Sequence, residues 1–343
     1  MFQILLEEIT LIRAKKNNFI SDIQSIYQRE CVTWFISMST IDDQVPFRKK
    51  DIIACNINSL ISGVYSITIT YNPDLDDGSF RDQMASLVEC NVKSILVDNN
   101  SENINQIEEI VKSISPGARL IRLDKNYGIG KALNIGIAEC LQNADCLWIL
   151  TLDQDSVLSS TSFRKLSDMI SAGDLYDADI YGLNYSTFRF SSEMVRNHRG
   201  TAYKTNAVIT SGMITRRKVY ESLKYCEKLF MYFVDNDFCA RAVKQGYTIV
   251  QCYEASINHN EGKRLAKGGR TFYVMRPNSI FYVARNSIFM FFRHKKVKPF
   301  VYSTEVLFEN VIAGYYLHAS ITNFIKGMCA GIIQRISKAK DYQ

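Results

Sequence analysis

Two aspartates, Asp153 and Asp155, stand one residue apart directly after an apolar run, residues 148–152. Side chains at positions i and i+2 leaving a strand project to the same side, so both carboxylates can face one ion. Two hard oxygen ligands suit Mg²⁺ or Mn²⁺ and leave coordination positions open for a diphosphate. Taken alone, the pair also fits a polar turn that follows a strand. Its chemistry therefore depends on which other residues reach the same place.

The elements before the pair alternate between β-branched runs and helix-compatible stretches. Strands are predicted at "VYSITIT" (64–70), "KSILV" (93–97), "ARLIRL" (118–123) and "CLWILTL" (146–152). Helices are predicted between them, at residues 80–90, 104–114 and 131–141. Such an alternation predicts a parallel sheet, because each crossover helix returns the chain to the same end of the sheet.

Polar residues follow the ends of the other three predicted strands. Asn72, Asp98 and Asn126 come directly after these strands. In open α/β sheets, ligands bind beyond the carboxyl ends of the strands. We therefore expect these side chains to converge with Asp153 and Asp155 on one edge of the sheet.

The sequence lacks the glycine-rich motifs that commonly bind phosphate. "GIGKAL" begins with Gly128 and Gly130, but Leu133 stands where the third glycine of a dinucleotide fingerprint belongs. No G-x-x-x-x-G-K-[ST] occurs. A cation held by the aspartates is therefore the expected means of binding a nucleotide diphosphate and of stabilising it as a leaving group.

Four motifs in order resemble those of a known family. They are "TYNP" (70–73), "VDNNS" (97–101), "NYGIGKALNIGI" (126–137) and "LTLDQDS" (150–156). Over about residues 64–295 the chain resembles the family 2 inverting glycosyltransferases of the GT-A fold. The D-Q-D form and a later "ITSG" make it most similar to the rhamnosyltransferases that build bacterial O-antigen. The resemblance implies an α/β fold with a Rossmann-like mixed, mainly parallel sheet flanked by helices, and with helical N- and C-terminal additions.

The resemblance also implies a set of donor-binding residues, namely Tyr71, Asn72, Asp98, Asn126, Asn134 and Asp153. Tyr71 and Asn72 would contact the nucleobase and ribose, and Asp98 the pyrimidine ring N–H. Asn126 and Asn134 would line the donor pocket, although Asn134 also suits an ordinary polar helix surface.

The implied cofactor is Mg²⁺ or Mn²⁺, and the implied donor is dTDP-rhamnose. Asp155 would be the principal metal ligand, and Asp153 would face the ribose or the metal. His259 would complete the metal site or contact the diphosphate, with a structural histidine as the alternative.

The second half carries residues suited to an acceptor site. "NAVITSGMITRR" (206–217) predicts a strand followed by a tight turn at Ser211-Gly212, which in the family lies under the acceptor. "LFMYFVDNDFCARAVKQGY" (229–247) predicts a helix that ends near Gly246. This helix carries Asp235, Asp237 and Arg241, and its layout resembles the family's acidic motif followed by an arginine.

An inverting transfer needs a carboxylate that removes the proton of the acceptor hydroxyl. We assign this role to Asp235, and Asp237 is the alternative base or a residue that orients the acceptor together with Arg241. Both carboxylates also suit simple capping of the helix N-terminus. Tyr232 departs from the rhamnosyltransferase pattern, which often has an acidic residue there.

Charge is distributed unevenly along the 343 residues, whose net charge is +6. Residues 263–343 carry fourteen Lys/Arg against three acidic residues, so this part is +11 and the preceding part is −5. Aromatic and basic residues interleave over 270–298, and apolar residues then follow helical spacing at Ile321, Phe324, Ile325, Met328, Ile332 and Ile336. The pattern favours docking on an anionic membrane surface, with a core helix or a homodimer face as alternatives. Nucleic acid is not an expected partner, because no nucleic-acid-binding signature occurs.

These features predict three regions and a location. They are an N-terminal helical extension of unknown function (1–62), a glycosyltransferase domain (63–295, divided into 63–156 for the donor and 157–295 for the acceptor) and a basic amphipathic tail (296–343). Nine cysteines without C-x-x-C spacing fit a reducing cytosol. Glu7 and Glu8 interrupt the segment where a signal peptide would be apolar, and no spanning helix is predicted. The expected location is therefore the inner face of a bacterial plasma membrane, where the family's polyprenyl-diphosphate-linked glycan acceptors lie.

Two other functions compete with this interpretation. A sugar-nucleotide pyrophosphorylase uses a similar sheet but would need a glycine-rich, basic loop after the first strand, where this chain has the acidic "YNPDLDDG". A non-catalytic polysaccharide- or membrane-binding protein with a degenerate site is the other alternative.

Overall fold

The computed structural model describes residues 62–171, 177–185, 202–258 and 263–340, without the side chains of Lys263 and residues 335–340. The chain divides into two compact units, residues 1–54 and 55–343, and every described residue belongs to the second. The predicted N-terminal helices and His259 lie outside the described residues.

One mixed sheet of nine strands forms the centre of the described part of the chain. The strands are β1 (Val64–Thr70), β2 (Lys93–Asp98), β3 (Arg119–Arg122), β4 (Trp148–Asp153), β5 (Val157–Leu158), β6 (Ile180–Tyr185), β7 (Ala202–Thr205), β8 (Met213–Arg216) and β9 (Ile249–Asn258). Their order is β3-β2-β1-β4-β8-β6-β9-β5, and β7 pairs with β9. The first four strands are parallel, as predicted, and β8 runs antiparallel to β4.

Helices cover both faces of this sheet. Helices α1 (Ser79–Glu89), α2 (Ile104–Ile114) and α4 (Ser160–Ser171) contribute to one apolar core, and α3 (Ile129–Leu141) contributes to the other. Helix α2 has the predicted bounds because Ile107, Ile110 and Val111 recur at helical spacing and are all buried. On the opposite face, a Cβ at Gly136 would lie 2.7 Å from Ile67, so glycine permits the close contact between α3 and β1.

The segment 206–217 differs from its predicted form. The turn at Ser211-Gly212 is present, but strand β8 follows it and residues 206–209 before it are not in a strand. Gly212 has φ of +79°, and pairing with β4 starts immediately after it, at Met213 opposite Thr151. The turn thus leads the chain into the sheet. Helices α5 (Arg217–Ser222) and α6 (Val234–Lys244) complete this half, and α6 ends close to Gly246 as predicted.

The C-terminal part comprises a hairpin and three helices that pack together. The hairpin consists of β10 (Lys263–Lys267) and β11 (Arg270–Val274), and the helices are α7 (Pro277–His294), α8 (Lys298–Ala313) and α9 (Leu317–Lys340). Gly327 and Gly331 of α9 allow this helix to approach α7 closely, because a Cβ at either position would lie within 3 Å of α7 atoms.

The apolar residues predicted on α9 divide between two environments. Phe324 is buried in a core cluster with residues of α7 and α8, and Met328 packs against it, whereas Ile321, Ile325 and Ile332 are exposed. In the described ranges, no helix combines the length and apolar character needed to cross a bilayer.

Candidate active site

The parallel register places the polar ends of three strands beside one another. Thr70 pairs with Asp98 across β1 and β2, and Ile69 pairs with Asp153 across β1 and β4. The predicted convergence of strand ends is therefore present for Asp98 and for Asp153, the first residue of the D-Q-D turn (residues 153–155).

A glutamine of α1 hydrogen-bonds to the backbone of the D-Q-D turn. Gln83 is fully buried, and its Nε2 donates to the carbonyl oxygens of Asp153, at 2.6 Å, and of Ser156, at 2.7 Å. From the side, Gln154 Oε1 accepts a hydrogen bond of 2.8 Å from the backbone N–H of Tyr71. The side chains of Asp153 and Asp155 are both half-buried. The turn is thus fixed at its backbone while its two carboxylates keep access to solvent.

Tyr71 and Asn72 lie at the exposed edge of this site. The Tyr71 side chain is 48% exposed. Asn72 adopts φ of +46°, its N–H donates to Ser101 Oγ at 2.8 Å, and its Oδ1 accepts from the N–H of Glu102 at 2.7 Å. These bonds tie the loop after β1 to the loop after β2 and leave the Tyr71 ring accessible.

Asp98 lies beneath that edge. Its carboxylate is fully buried and accepts hydrogen bonds from Thr70 Oγ1 at 2.9 Å, from the Ser101 N–H at 2.9 Å and from Ser101 Oγ at 2.5 Å. In this arrangement Asp98 braces the loop that holds Asn72.

The two asparagines predicted to line the donor pocket also bond to the protein. Asn126 Oδ1 accepts from the N–H of Gly128 at 2.9 Å, which shapes the entry to α3. Asn134 donates to the Tyr225 carbonyl at 3.0 Å and to Glu227 at 3.1 Å, and it accepts from the Tyr225 N–H at 2.9 Å. The structure therefore uses the Asn134 amide to hold the loop at 225–227 against α3.

The turn Thr210–Gly212 is fastened to the end of β4. Ser211 Oγ accepts from the Asp153 N–H at 3.1 Å and donates to Ser156 Oγ at 2.6 Å. The Gly212 N–H donates to the Thr151 carbonyl at 2.8 Å, and Thr151 Oγ1 donates to the Thr210 carbonyl at 2.6 Å. The predicted acceptor turn and the D-Q-D turn therefore form one hydrogen-bonded unit.

Asp235 lies in the first turn of α6, and its carboxylate interacts with the backbone of Thr210. Its half-buried carboxylate accepts a hydrogen bond of 2.8 Å from the backbone N–H of Asn236, and the backbone N–H groups of Thr210 and of Asp235 itself also favour its charged form. Desolvation by burial raises the pKa of Asp235, and these hydrogen bonds only partly oppose the increase. A carboxylate that is desolvated and close to the D-Q-D turn has the properties of a general base.

Asp237 has a different environment, although it lies only two residues further along the helix. It is fully buried, and its oxygens bond to Arg241 Nε at 2.9 Å, Arg293 Nε at 2.9 Å and His294 Nε2 at 2.8 Å. Burial alone would raise the pKa of Asp237, but the His294 hydrogen bond and the two guanidinium charges together hold it below the ordinary value. Asp237 thus joins α6 to α7 through Arg293 and His294, and Arg241 pairs with it within α6.

The residues present fit a divalent cation in part. Asp153 and Asp155 offer accessible carboxylate oxygens at a rigid turn, which is the ligand type that Mg²⁺ and Mn²⁺ prefer. Asn258 pairs with Val157 across β9 and β5, and His259 lies outside the described residues. Within the described ranges, no group of three or more His, Cys, Asp and Glu side chains could hold a metal ion. Two carboxylates leave room for a diphosphate to complete the coordination.

Several residues that shape the site were not predicted from the sequence. Gln83, Thr210 and Ser101 interact directly with residues of the site, and Asn286 hydrogen-bonds to the backbone that precedes α6. Gln83 lies within a stretch whose pattern indicated only a polar helix, and Asn286 lies within an aromatic and basic run. Their roles depend on contacts between residues 54 to 73 positions apart, which no local pattern indicates.

The chain is similar to a protein family and to several known proteins. Residues 67–238 match the family described as glycosyl transferase family 2. The dTDP-rhamnosyl transferase RfbF of Shigella flexneri is 27% identical over 268 residues, which cover 72% of this chain and 86% of that protein. S. aureus TarS 1-349 in complex with UDP-GlcNAc is 16% identical at a TM-score of 0.46, over 76% of this chain and 72% of that one.

A further solved structure shows the fold. The mannosyltransferase PcManGT from Pyrobaculum calidifontis, in complex with GDP-Man and Mn²⁺, is 13% identical and superposes with a TM-score of 0.52, over 93% of this chain and 88% of that one. The predicted glycosyltransferase fold, a mixed sheet with flanking helices, is thus confirmed. Since the family match spans half of the chain, the protein belongs to glycosyl transferase family 2.

Proposed function

We propose that this enzyme transfers L-rhamnose from dTDP-rhamnose, with inversion, to a hydroxyl of a polyprenyl-diphosphate-linked glycan during O-antigen synthesis. The observation that carries the catalytic part is the link between Asp235 and the D-Q-D turn through the turn Thr210–Gly212. The choice of donor is supported by the similarity to the Shigella dTDP-rhamnosyl transferase and by the D-Q-D form.

Asp235 is the proposed catalytic base. Its carboxylate takes the proton of the acceptor hydroxyl while the hydroxyl oxygen forms a bond to the anomeric carbon. The bond between that carbon and the diphosphate oxygen breaks on the opposite face, and the nucleoside diphosphate leaves with the electron pair. The raised pKa of Asp235 suits this step, because a carboxylate is a stronger base when its pKa is closer to the working pH.

Asp153, Asp155 and His259 are the proposed ligands of Mg²⁺ or Mn²⁺, with Asp155 as the main one. The ion, when bound, would neutralise charge on the diphosphate as it leaves. The Mn²⁺ in the complex of the archaeal mannosyltransferase supports a divalent cation here. Tyr71, Asn72, Asp98, Asn126 and Asn134 complete the proposed donor site. Tyr71 is its exposed member, and Asp98 also holds Ser101, which in turn binds Asn72. Ser211, Gly212 and Arg241 support the acceptor side.

Thermal-shift measurements and transfer assays test the identity of the donor. The purified chain is mixed with dTDP-rhamnose, UDP-GlcNAc or GDP-mannose, with and without Mn²⁺. We expect dTDP-rhamnose to stabilise the wild type and to be turned over only with metal. Asp155→Asn should weaken binding of metal and donor together, whereas Asp235→Asn should retain donor binding. Absence of both binding and turnover with all three donors would refute the proposal.

We also propose that the end of α7 docks the enzyme on the inner leaflet. Phe291 and Phe292 are 39% and 37% exposed, and Lys295, Lys296 and Val297 beside them are exposed as well. Aromatic side chains next to lysines suit the interface of an anionic bilayer, where the acceptor lipid resides.

Vesicle binding tests this surface. The wild type should co-sediment with vesicles containing anionic lipid and lose this binding in high salt, because each lysine acts through charge. Phe291→Ser/Phe292→Ser should bind weakly, whereas Ile332→Ser, on the exposed face of α9, should not change binding. If instead Ile332→Ser alone converts a dimer to a monomer and vesicle binding is absent in all variants, the C-terminal helices form a homodimer face.

A further inference from the structure

We propose that Asn286 of α7 is a positioning residue for the transfer reaction: it holds the backbone of Met231 and Tyr232 in the conformation that sets the place of Asp235. This inference rests on the proposed function, because it matters only if Asp235 is the base. It assigns a role in the chemistry to a helix that follows the residues matched to the family.

Both the nitrogen and the oxygen of the Asn286 side-chain amide form hydrogen bonds within the protein. Its side chain is 1% exposed, and Nδ2 donates to the carbonyl oxygens of Met231, at 2.6 Å, and of Tyr232, at 3.1 Å. Oδ1 accepts from Arg285 Nε at 2.9 Å. The orientation of the amide is fixed by these partners, because carbonyl oxygens only accept hydrogen bonds and a guanidinium only donates them.

The backbone that Asn286 contacts adopts an unfavourable conformation. Tyr232 and Phe233 have φ of +61° and +60°, so two consecutive residues with side chains lie in the left-handed region. Such a conformation persists only where the surroundings determine it, and it is concentrated at functional sites. The two carbonyls that Asn286 binds belong to the peptide groups on either side of Tyr232, so the bonds define the orientation of both.

The strained residues lead directly into the helix of the base. The Phe233 carbonyl accepts from the Asp237 N–H at 3.0 Å, which starts α6, and Asp235 lies inside this first turn. A change in the peptide planes at Tyr232 would therefore rotate the start of α6. Asp235 would move away from the Thr210 N–H that its carboxylate binds.

Helix α7 contacts the same segment at points before and after Asn286. Arg285 Nη2 donates to the Lys228 carbonyl at 2.9 Å, and the ring of Tyr282 stacks on Phe230 with centroids 4.8 Å apart. At the end of α7, Arg293 and His294 bind Asp237. Asn286 thus lies at the centre of a helix that runs along residues 228–237, and it is the contact closest to the strained residues.

The test compares Asn286→Asp with a matched variant, Asn310→Asp. Asn310 is also a fully buried asparagine of the C-terminal helices, and it binds the Met275 backbone through Nδ2, at 2.7 Å, and Oδ1, at 3.0 Å. Each substitution replaces a donor with an acceptor of the same shape, so both should lower the melting temperature. Both are assayed for transfer well below their melting temperatures, with donor binding measured by calorimetry.

We expect Asn286→Asp to lower kcat by about 10- to 100-fold, the effect of a small displacement of a catalytic group. Its Kd and KM for the donor should stay within about twofold of the wild type, because donor binding is unaffected by the position of the base. Asn310→Asp should keep its kcat. If Asn286→Asp is too unstable to assay, Asn286→Ala, which adds no charge, replaces it.

Equal loss of kcat in the Asn286 and Asn310 variants would overturn the inference, as would an Asn286 variant with normal kcat. A wild type that shows no transfer at all would instead refute the proposed function, so the two failures are distinguishable.

Discussion

Asp235 and Asp237 lie two residues apart in the first turn of α6, yet their carboxylates have opposite electrostatic surroundings. Asp235 is desolvated beside the backbone of Thr210 and has a raised pKa, whereas Asp237 is surrounded by Arg241, Arg293 and His294 and has a lowered one. A carboxylate that is paired with two guanidinium groups and hydrogen-bonded to His294 is a poor proton acceptor. These surroundings support the proposed division of roles, in which Asp235 carries out the chemistry and Asp237 attaches α6 to α7.

Asp235→Asn should reduce kcat by at least about 100-fold, since general bases commonly contribute 10²- to 10⁴-fold. The amide has nearly the same shape as the carboxylate but does not take up a proton, so donor affinity should be retained. Transfer assays together with calorimetric donor titration measure both quantities. Near-normal transfer by this variant would exclude Asp235 as the base.

The pH dependence of kcat should show an acid limb above the ordinary pKa of an aspartate, because burial raises the pKa of Asp235. The titratable side chains that interact with Asp235 are the Tyr225 phenol and the Cys239 thiol, and burial raises both of their pKa values, that of Cys239 to about 12. Both neighbours are thus neutral over the acid range. The limb should be absent from any residual activity of Asp235→Asn, which a stopped assay at several pH values can detect.

The same substitution should stabilise the ligand-free protein at neutral pH. A carboxyl whose folded pKa is raised holds its proton more tightly in the folded state, so its ionisation favours unfolding as the pH rises through the folded pKa. Asparagine removes this penalty. Asp235→Asn should therefore melt above the wild type at pH 7, with the difference shrinking towards acid pH. A lower melting temperature at pH 7 would contradict the desolvated environment.

Asp237→Asn should act mainly on stability. It leaves two guanidinium groups and His294 without their common partner, and breaking a buried ion pair costs about 3 kcal/mol. Because the folded pKa of Asp237 is lowered, its stabilising contribution is present above the ordinary Asp pKa and is lost as the pH falls through the folded value. The free energy of unfolding, measured with denaturant, should be higher for the wild type than for the variant at pH 7. This difference should disappear below about pH 4.

In activity assays below its unfolding midpoint, Asp237→Asn should lose less than about tenfold in kcat, compared with the much larger loss expected for Asp235→Asn. If the Asp237 variant is the more severely impaired in kcat while remaining folded, the two roles are reversed.

Gln83→Leu should impair donor binding without removing a residue that touches the donor. The substitution frees the Asp153 and Ser156 carbonyls, which Gln83 holds at 2.6 and 2.7 Å, so the D-Q-D turn loses its support. We expect KM for the donor and the apparent Mn²⁺ requirement to rise about tenfold, in line with losses of residues that orient metal ligands.

Gln251→Leu is the control for Gln83→Leu. Gln251 also braces backbone carbonyls, those of Gly182 and Cys252, at 3.0 and 3.3 Å. The control should lose stability but keep the wild-type KM. An equal rise in KM in both variants would mean that Gln83 contributes only general stability.

Much of the donor half could be predicted from the sequence, because its signals are local. The β-branched run at Val64–Thr70 predicts a strand, the spacing of Ile107, Ile110 and Val111 predicts α2, and the alternation of such elements implies a parallel sheet. Parallel strands have their carboxyl ends at one edge of the sheet. The sequence therefore predicts that Asp98 and Asp153 lie at the same edge.

The tertiary structure decided how each of these residues is used. Asp98, at the predicted edge, proved to be buried beneath it, and Asn134 holds a loop, because their hydrogen-bonding partners Ser101 and Tyr225 are placed by the fold of the backbone. The roles of Asp235 and Asp237 could not be separated from the sequence, since both suit the start of a helix. The sequence by itself determined the family, the alternation of strands and helices in the donor half, and the convergence of its polar strand ends on one edge of the sheet. Only the tertiary contacts between α6 and α7 decided that Asp237 pairs with Arg293 and His294, because these contacts join residues more than fifty positions apart.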